Sequence, residues 1–373
     1  MARKLQPDRV LFLVTLALVV FGVVMVFSSS AVIAQERFGD PNYFFFKQLV
    51  AASIGVALMF VVMKVDYHSY RKPAVVFATL ALVVGLMLAV FFGTGARNTY
   101  RWIQFAGFNF QPSEVAKLAL ILFLAYFLEA RKSQVNDIKF TLAPIAVIVA
   151  LLAGLIILQR DLGTAVTLVL TAAILLFVGG LNVRWIGASA VLTLPVAASV
   201  FYLLVYRVQY RWNRILTWID PWKDPLGMGY QITQAWISIG TGAVSGLGFM
   251  EGKQKLFYLP DAHTDFIFAV VGEEIGLVGT GGVLLLFLAF LWRGLRASMR
   301  APDLFGFYLA AGITTMICLQ AFINMSVVLG IMPTKGIPLP FLSYGGSSSV
   351  VMLAAVGMLL NVSQQAALET REL

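Results

Sequence analysis

Long uninterrupted apolar runs dominate this chain and leave little alternation between hydrophobic and polar positions. Ten can be marked off, at 10–34, 47–63, 74–92, 113–130, 140–158, 162–180, 185–206, 265–292, 304–330 and 347–362. A helix of about 20 residues crosses the hydrocarbon core of a bilayer, and there each backbone N–H and C=O must be bonded within its own segment. The runs therefore predict helices rather than open sheet. The expected fold is an all-α polytopic membrane protein with about ten transmembrane helices. No composition break or fixed-period repeat divides the chain, so 1–373 reads as one transmembrane domain.

Composition sharpens this picture. Of 373 residues, 60% are hydrophobic and only 12% charged, which excludes an ordinary soluble domain. The first run follows Arg3, Lys4 and Arg9 like a signal peptide, but it is long and lacks a small-residue cleavage site, so it is expected to be retained. Cys318 is the only cysteine, and no intrachain disulfide can form.

The net charge of +9 takes on meaning once it is placed. Ten crossings put both termini on one side. If that side is cytoplasmic, the inside segments hold fourteen Lys and Arg against six in the short outside loops. Both termini are thus expected inside, with a large extracytoplasmic loop, 207–264, between helices 7 and 8. No nucleic-acid partner is expected.

Two outside segments, 93–112 and 207–264, mix Trp and Tyr with Arg and Lys, as expected where protein meets headgroups and anionic groups. An amphipathic helix is expected between Gly229 and Ile239, ending at Gly240 and Gly242. The following GTGAVSGLG lacks the strand–turn–helix setting of a nucleotide loop and reads as a turn returning to the membrane.

Charged groups inside such a chain need partners. Pro112, Ser113 and Glu114 read as a helix start, with Lys117 on the same face one turn on. Lys117 calls for a second carboxylate or an anionic ligand. LPDAHTDFIFAVVGEE supplies carboxylates: Asp265 in the first turn of an apolar helix, Asp261 just outside it, and Glu273 and Glu274 about two turns deeper. Asp265 reads either as a helix cap or as a functional group. His263 has no second histidine near it, so hydrogen bonding is favoured over metal ligation. Glu273 and Glu274 read as an internal hydrogen-bonded pair or as catalytic support. PTKGIPLPFLSYGGSSS, with its prolines and glycines, predicts a rigid non-helical segment lining a pocket at membrane depth, including Ser343, Gly345 and Gly346.

Taken in order along the chain, FGVVMVFSSSA, RWIQFAGFNFQPSEVAKLAL, DLGTA, DPWKDPLGMGYQITQA, QKLFYLPDAHTDFIFAVVGEEIG and NMSVVLGIMPTKGIPLPFLSYGGSSS resemble the SEDS proteins (shape, elongation, division and sporulation). QKLFYLP and PTKG look more like the cell-division branch than the elongation branch. Asp261 stands where the family commonly has Glu, and Arg160 where Pro often precedes DLGTA.

The resemblance implies a bacterial inner-membrane glycosyltransferase that polymerises peptidoglycan glycan strands from lipid II at the division septum, with its active site facing outward. It implies that Asp265 is the catalytic acid residue and that Lys117 and Trp102 belong to its cavity. It also implies a class B penicillin-binding transpeptidase and other division membrane proteins as partners. In the expected mechanism ionised Asp265 takes the acceptor hydroxyl proton, favoured as a carboxylate by a nearby Lys117. Lys117, Arg101, Arg207, Arg211 and Arg214 are the candidates to meet the pyrophosphate, with Glu114 and His263 beside the substrate. No cofactor is certain, and a divalent cation, Mg or Mn, held by Asp265 and substrate phosphate is an alternative stabiliser. The rival readings are a lipid II flippase, an elongation-type polymerase and a recruiting scaffold.

Overall fold

The computed structural model describes residues 6–92, 101–105, 108–182, 184, 187, 202, 206–207 and 209–365. Its helices are α1 (Arg9–Phe38), α2 (Tyr43–Lys64), α3 (Pro73–Ala89), α4 (Pro112–Ala130), α5 (Ala143–Leu158), α6 (Leu162–Val178), α7 (Gln209–Ile219), α8 (Tyr230–Gly242), α9 (Ile267–Met299), α10 (Leu304–Val328) and α11 (Gly346–Gln365). Among the described residues, seven helices are long and apolar enough to cross a membrane. The protein is an α-helical polytopic membrane protein. Most of the expected run 185–206 lies outside the described residues.

Local chemistry sets the helix ends. Asp8 caps α1 by accepting from the Leu11 N–H, and Gly39, at φ 72°, closes it in the left-handed conformation that glycine adopts without strain. Asp161 and Asp303 cap α6 and α10 in the same way as Asp8. Pro112 occupies the first turn of α4, where its missing N–H breaks no bond. α9 runs past the expected 292 to Met299, because Arg293 reaches Asp8 with two nitrogens and need not leave the helix to find a partner.

α4 and α10 form the inner part of the bundle, packed on each other and buried along most of their length. α11 lies along α2, α3 along α4, and α9 between α10, α8 and α1. The Asp8 N–H donates to Ser363 Oγ (3.2 Å), so the first and last described parts of the chain meet at one end of the bundle. The turns after α2 and before α10 share that end, joined by His68 to Asp303 (2.7 Å).

Three expectations need correction. The outer segment after α3 contributes a short antiparallel hairpin, Ile103–Phe105 with Phe108–Phe110, within an otherwise helical fold. The helix expected to break at Gly240 and Gly242 runs through Gly240 and ends at Gly242, since the packing of α8 on α9 overrides glycine's weak propensity at the first of them. The serines of SYGGSSS are helical, because α11 begins at Gly346.

The GTGAVSGLG segment has a structural task. Gly246, at φ 78°, lies so close to α9 that a Cβ there would sit 2.1 Å from the Glu274 carbonyl oxygen. The Leu247 and Gly248 N–H groups donate to the carbonyls of Glu273 and Glu274 (2.9 and 3.0 Å). Those carbonyls lie just before a break in α9 at Gly276, φ 70° and ψ −156°. The loop thus satisfies the backbone groups that the break frees.

Candidate functional site

At the end of the bundle opposite Asp8 and Ser363, three segments converge: 261–266 before α9, 333–345 before α11, and 159–161 before α6. The 261–266 turn is built on the Asp261 carbonyl, which accepts from the N–H groups of Thr264 (3.0 Å) and Asp265 (3.1 Å). Asp261 itself has φ 53°, the left-handed region that Asp tolerates better than most residues. Ser343 Oγ locks this turn to the next segment, donating to the Thr264 carbonyl (2.5 Å) and accepting from the Leu339 N–H (2.8 Å). The Tyr344 N–H adds a bond to the His263 carbonyl (2.9 Å).

Asp265 sits in the resulting niche. Its carbonyl accepts from Asn324 Nδ2 (2.8 Å), while its carboxylate faces Gly336, where a Cβ would lie 2.7 Å from Oδ2. Among the described residues no donor bonds the carboxylate. Burial, then the negative charges of Asp261 and Asp161, push its pKa up to about 7, and Arg101 opposes the rise. Arg101 is held near Asp161 (3.9 Å) and bonds the carbonyl of Arg160. Asp161 also accepts from Gln111 Nε2 (3.3 Å). Arg160, at φ 65°, adopts a conformation closed to proline, so this turn is shaped differently from any that carries Pro at that position.

Lys117 lies deeper and has two partners among the described residues. Its Nζ is 3.0 Å from Glu114 Oε2 and donates to Gln320 Oε1 (2.6 Å). Ser348 Oγ donates to the same Glu114 oxygen (2.9 Å), and Gln320 Nε2 donates to the Pro338 carbonyl (2.9 Å). Asn324, one turn beyond Gln320, donates to the Ile337 carbonyl (2.7 Å). Besides Glu114, the described residues offer Lys117 an amide, Gln320, rather than a second carboxylate. The expectation that Lys117 keeps Asp265 ionised is also corrected: the opposing positive charge is Arg101, and Asp265 is shifted upward. Through Gln320, Lys117 is also tied to the 333–345 segment at the Pro338 carbonyl.

The remaining candidates are dispersed. Trp102 is half-buried next to Arg101. His263 packs its ring against Phe44 and Tyr344, its Nδ1 buried without a hydrogen-bond partner among the described residues. Burial holds its pKa down to about 4, against the pull of Asp261 and with a smaller downward push from Arg37, so it is neutral at pH 7. The Gly345 N–H donates to Gln48 Oε1 (3.3 Å), and Gly346 opens α11 near Ala51. Arg207 is exposed over the Tyr202 ring. The side chains of Arg211 and Arg214 lie outside the described residues. Glu273 and Glu274 are not bonded to each other: Glu273 takes the Lys253 and Gln254 N–H groups, and Glu274 takes Ser28 and Lys255.

The residues that sequence reasoning missed are Gln320, Asn324, Asp161, Ser348 and Gly336. Gln320 and Asn324 carried a signal, being two amides four apart on one face of an apolar run. No group of three or more His, Cys, Asp or Glu side chains that could hold a metal ion forms among the described residues.

The family of cell cycle proteins that takes in FtsW, RodA and SpoVE matches residues 8–368. The chain is 47% identical to the probable peptidoglycan glycosyltransferase FtsW of Geobacter metallireducens, over 95% of this chain and 94% of that protein. It is 43% identical to stage V sporulation protein E of Bacillus subtilis, over 97% and 98%. A solved chain, from work on how a peptidoglycan synthase complex coordinates polymerization and crosslinking, superposes with a TM-score of 0.78 at 29% identity, covering 97% of this chain and 99% of that one.

Proposed function

Because the chain belongs to this family of cell cycle proteins, we propose that it is a peptidoglycan glycosyltransferase of the division branch, building glycan strands from lipid II. The observation that carries the catalytic reading is the Asp265 carboxylate, left without a donor among the described residues and raised to about 7 in a niche beside Arg101. A general base works best with a pKa near the operating pH. Asp265 accepts the proton of the acceptor hydroxyl as that oxygen attacks the anomeric carbon of the donor. The pyrophosphate leaves toward Arg101 and the outer-loop arginines, Arg207, Arg211 and Arg214, with a divalent cation as a further stabiliser when bound. Ser343 and Asn324 hold the base through backbone carbonyls, and Lys117 with Gln320 supports the segment that carries Gly336.

The same proposal sets the protein in the bacterial inner membrane at the septum as a single domain with ten crossings. Both termini are cytoplasmic, and the 207–264 loop and Asp265 face outward. A class B penicillin-binding transpeptidase and other division membrane proteins are its partners. The synthase complex among the structural neighbours supports the transpeptidase pairing.

The test is purified protein, with and without that transpeptidase, incubated with lipid II. Polymer is expected from the wild type and not from Asp265→Asn. Lipid II translocation in vesicles without any polymer would assign transport instead.

A further inference from the structure

Two motifs remain outside the catalytic account, FSSSA in α1 and GEE in α9, and the structure brings them together on a buried lysine. Lys255 is 3% exposed, Glu274 1% and Ser28 1%. Lys255 Nζ donates to Glu274 Oε1 (2.6 Å) and to Ser28 Oγ (3.0 Å), and the Ser28 hydroxyl lies 2.6 Å from Glu274 Oε1. The Met250 N–H reaches Glu274 Oε2 (3.2 Å). Next to it Glu273 accepts from the N–H groups of Lys253 (2.7 Å) and Gln254 (3.1 Å) and from Ser238 Oγ (3.3 Å).

A lysine drawn from a loop into an apolar bundle gives up its hydration, so such a pair persists only where each partner is well matched. The bond from 255 to 274 closes a loop of the chain, and Asp265 lies at its middle. Ser28 fixes that loop to the first helix, and the break at Gly276 follows immediately.

We propose that Lys255, Glu274 and Ser28 form a clamp that positions Asp265, holding the 256–265 segment against α9 so that the carboxylate stays in its niche facing Gly336. These are positioning residues, since none lies among the groups placed against the reacting atoms. The inference rests on the polymerase reading, and its test separates the two.

Removing one partner alone would leave a buried unpaired charge, so the informative variant is Lys255→Met together with Glu274→Gln, which keeps both volumes. It is expected to insert and unfold like the wild type. Its kcat for lipid II polymerisation should fall on the order of 10- to 100-fold with KM little changed, as misplacement of a reacting group does. The acid-side midpoint of the pH–rate profile should also move down from about 7, because a released Asp265 gains water while Asp261, Asp161 and Arg101 still act on it. Lys255→Arg, which keeps the charge, should recover kcat.

A folded double variant with wild-type kcat and midpoint overturns the clamp, and so does one that loses thermal stability alone. If the double variant does not fold, Ser28→Ala decides: a smaller fall in kcat with a downward midpoint supports the clamp, and no change in either refutes it. A wild type that makes no polymer in the same assay refutes the polymerase reading instead.

Discussion

Glu114 and Asp265 are both carboxylates at the start of long apolar helices, α4 and α9, yet they are treated in opposite ways. Glu114 is buried and receives Lys117 and Ser348, with Gln320 as the lysine's second partner. Asp265 receives no donor at its carboxylate among the described residues and has two other carboxylates acting on it. A paired carboxylate of this kind ties α4, α10 and α11 together, through Lys117 to Gln320 and through Ser348. An unmatched one is held in an unfavourable state by the surrounding fold, and proton transfer or ligand binding relieves it.

The largest effect expected from this contrast comes from Asp265→Asn. It removes the proton acceptor while keeping the shape, and the Asp265 carbonyl still accepts from Asn324. Polymerisation should fall by about 10²-fold or more, with insertion and thermal unfolding in detergent close to wild type. Near-normal turnover would assign the base elsewhere.

Next comes Lys117→Met, where the contrast predicts a structural failure. Glu114 would be left buried with only Ser348, a loss of about 3–5 kcal/mol for a broken buried pair. Lys117→Met with Glu114→Gln should recover most of that stability in a melting assay. Equal stability of the single and double variants would mean that the pair is not a unit.

Most of the helices were legible because a run of apolar residues has one stable solution in hydrocarbon, and the start of α4 was legible at Pro112, whereas Asp265, expected in the first turn of its helix, lies just before α9. Asp265 and Lys117 stood out as charges in apolar surroundings. Their partners did not, since a polar residue in a buried run shows that it needs a partner without showing which. Gln320 could be singled out, but its bond to Lys117 depends on how α4 crosses α10. Gly336 carries no chemical signal at all. Its importance comes from empty space, and the sequence records only that a glycine lies in a Pro-rich segment. The shift of Asp265 was misjudged for the same reason: it depends first on how deeply the fold buries the carboxylate and then on the charges of Asp261, Asp161 and Arg101 around it.

Gly336→Ala tests that empty space and should have an intermediate effect. A Cβ 2.7 Å from Oδ2 forces the carboxylate aside, since the flexible end of Asp265 yields more readily than the backbone bonded at Ile337. Polymerisation should drop on the order of 10-fold with little loss of stability, in keeping with the cost of small displacements at a reacting group. Full activity would show that the carboxylate has room to spare.

The smallest effect, and the finest probe of the unmatched site, is Asp261→Asn. Asn keeps the shape, tolerates φ 53° and leaves the backbone carbonyl that builds the turn, so only the charge is lost. That charge raises the Asp265 pKa, so its removal should lower the acid-side midpoint of the pH–rate profile from about 7. Arg101→Gln removes an opposing charge and should raise the midpoint. For stability the sign follows from the protonated form. With its folded pKa above 3.8, Asp265 favours the fold fully below pH 3.8, and that contribution is lost as pH rises through about 7. Asp261→Asn should narrow this window from its upper side. Because Asp261 is exposed, the difference between wild type and Asp261→Asn should shrink as salt is raised, whereas the part due to burial should persist. A midpoint that ignores both substitutions would mean that the titrating group is not Asp265.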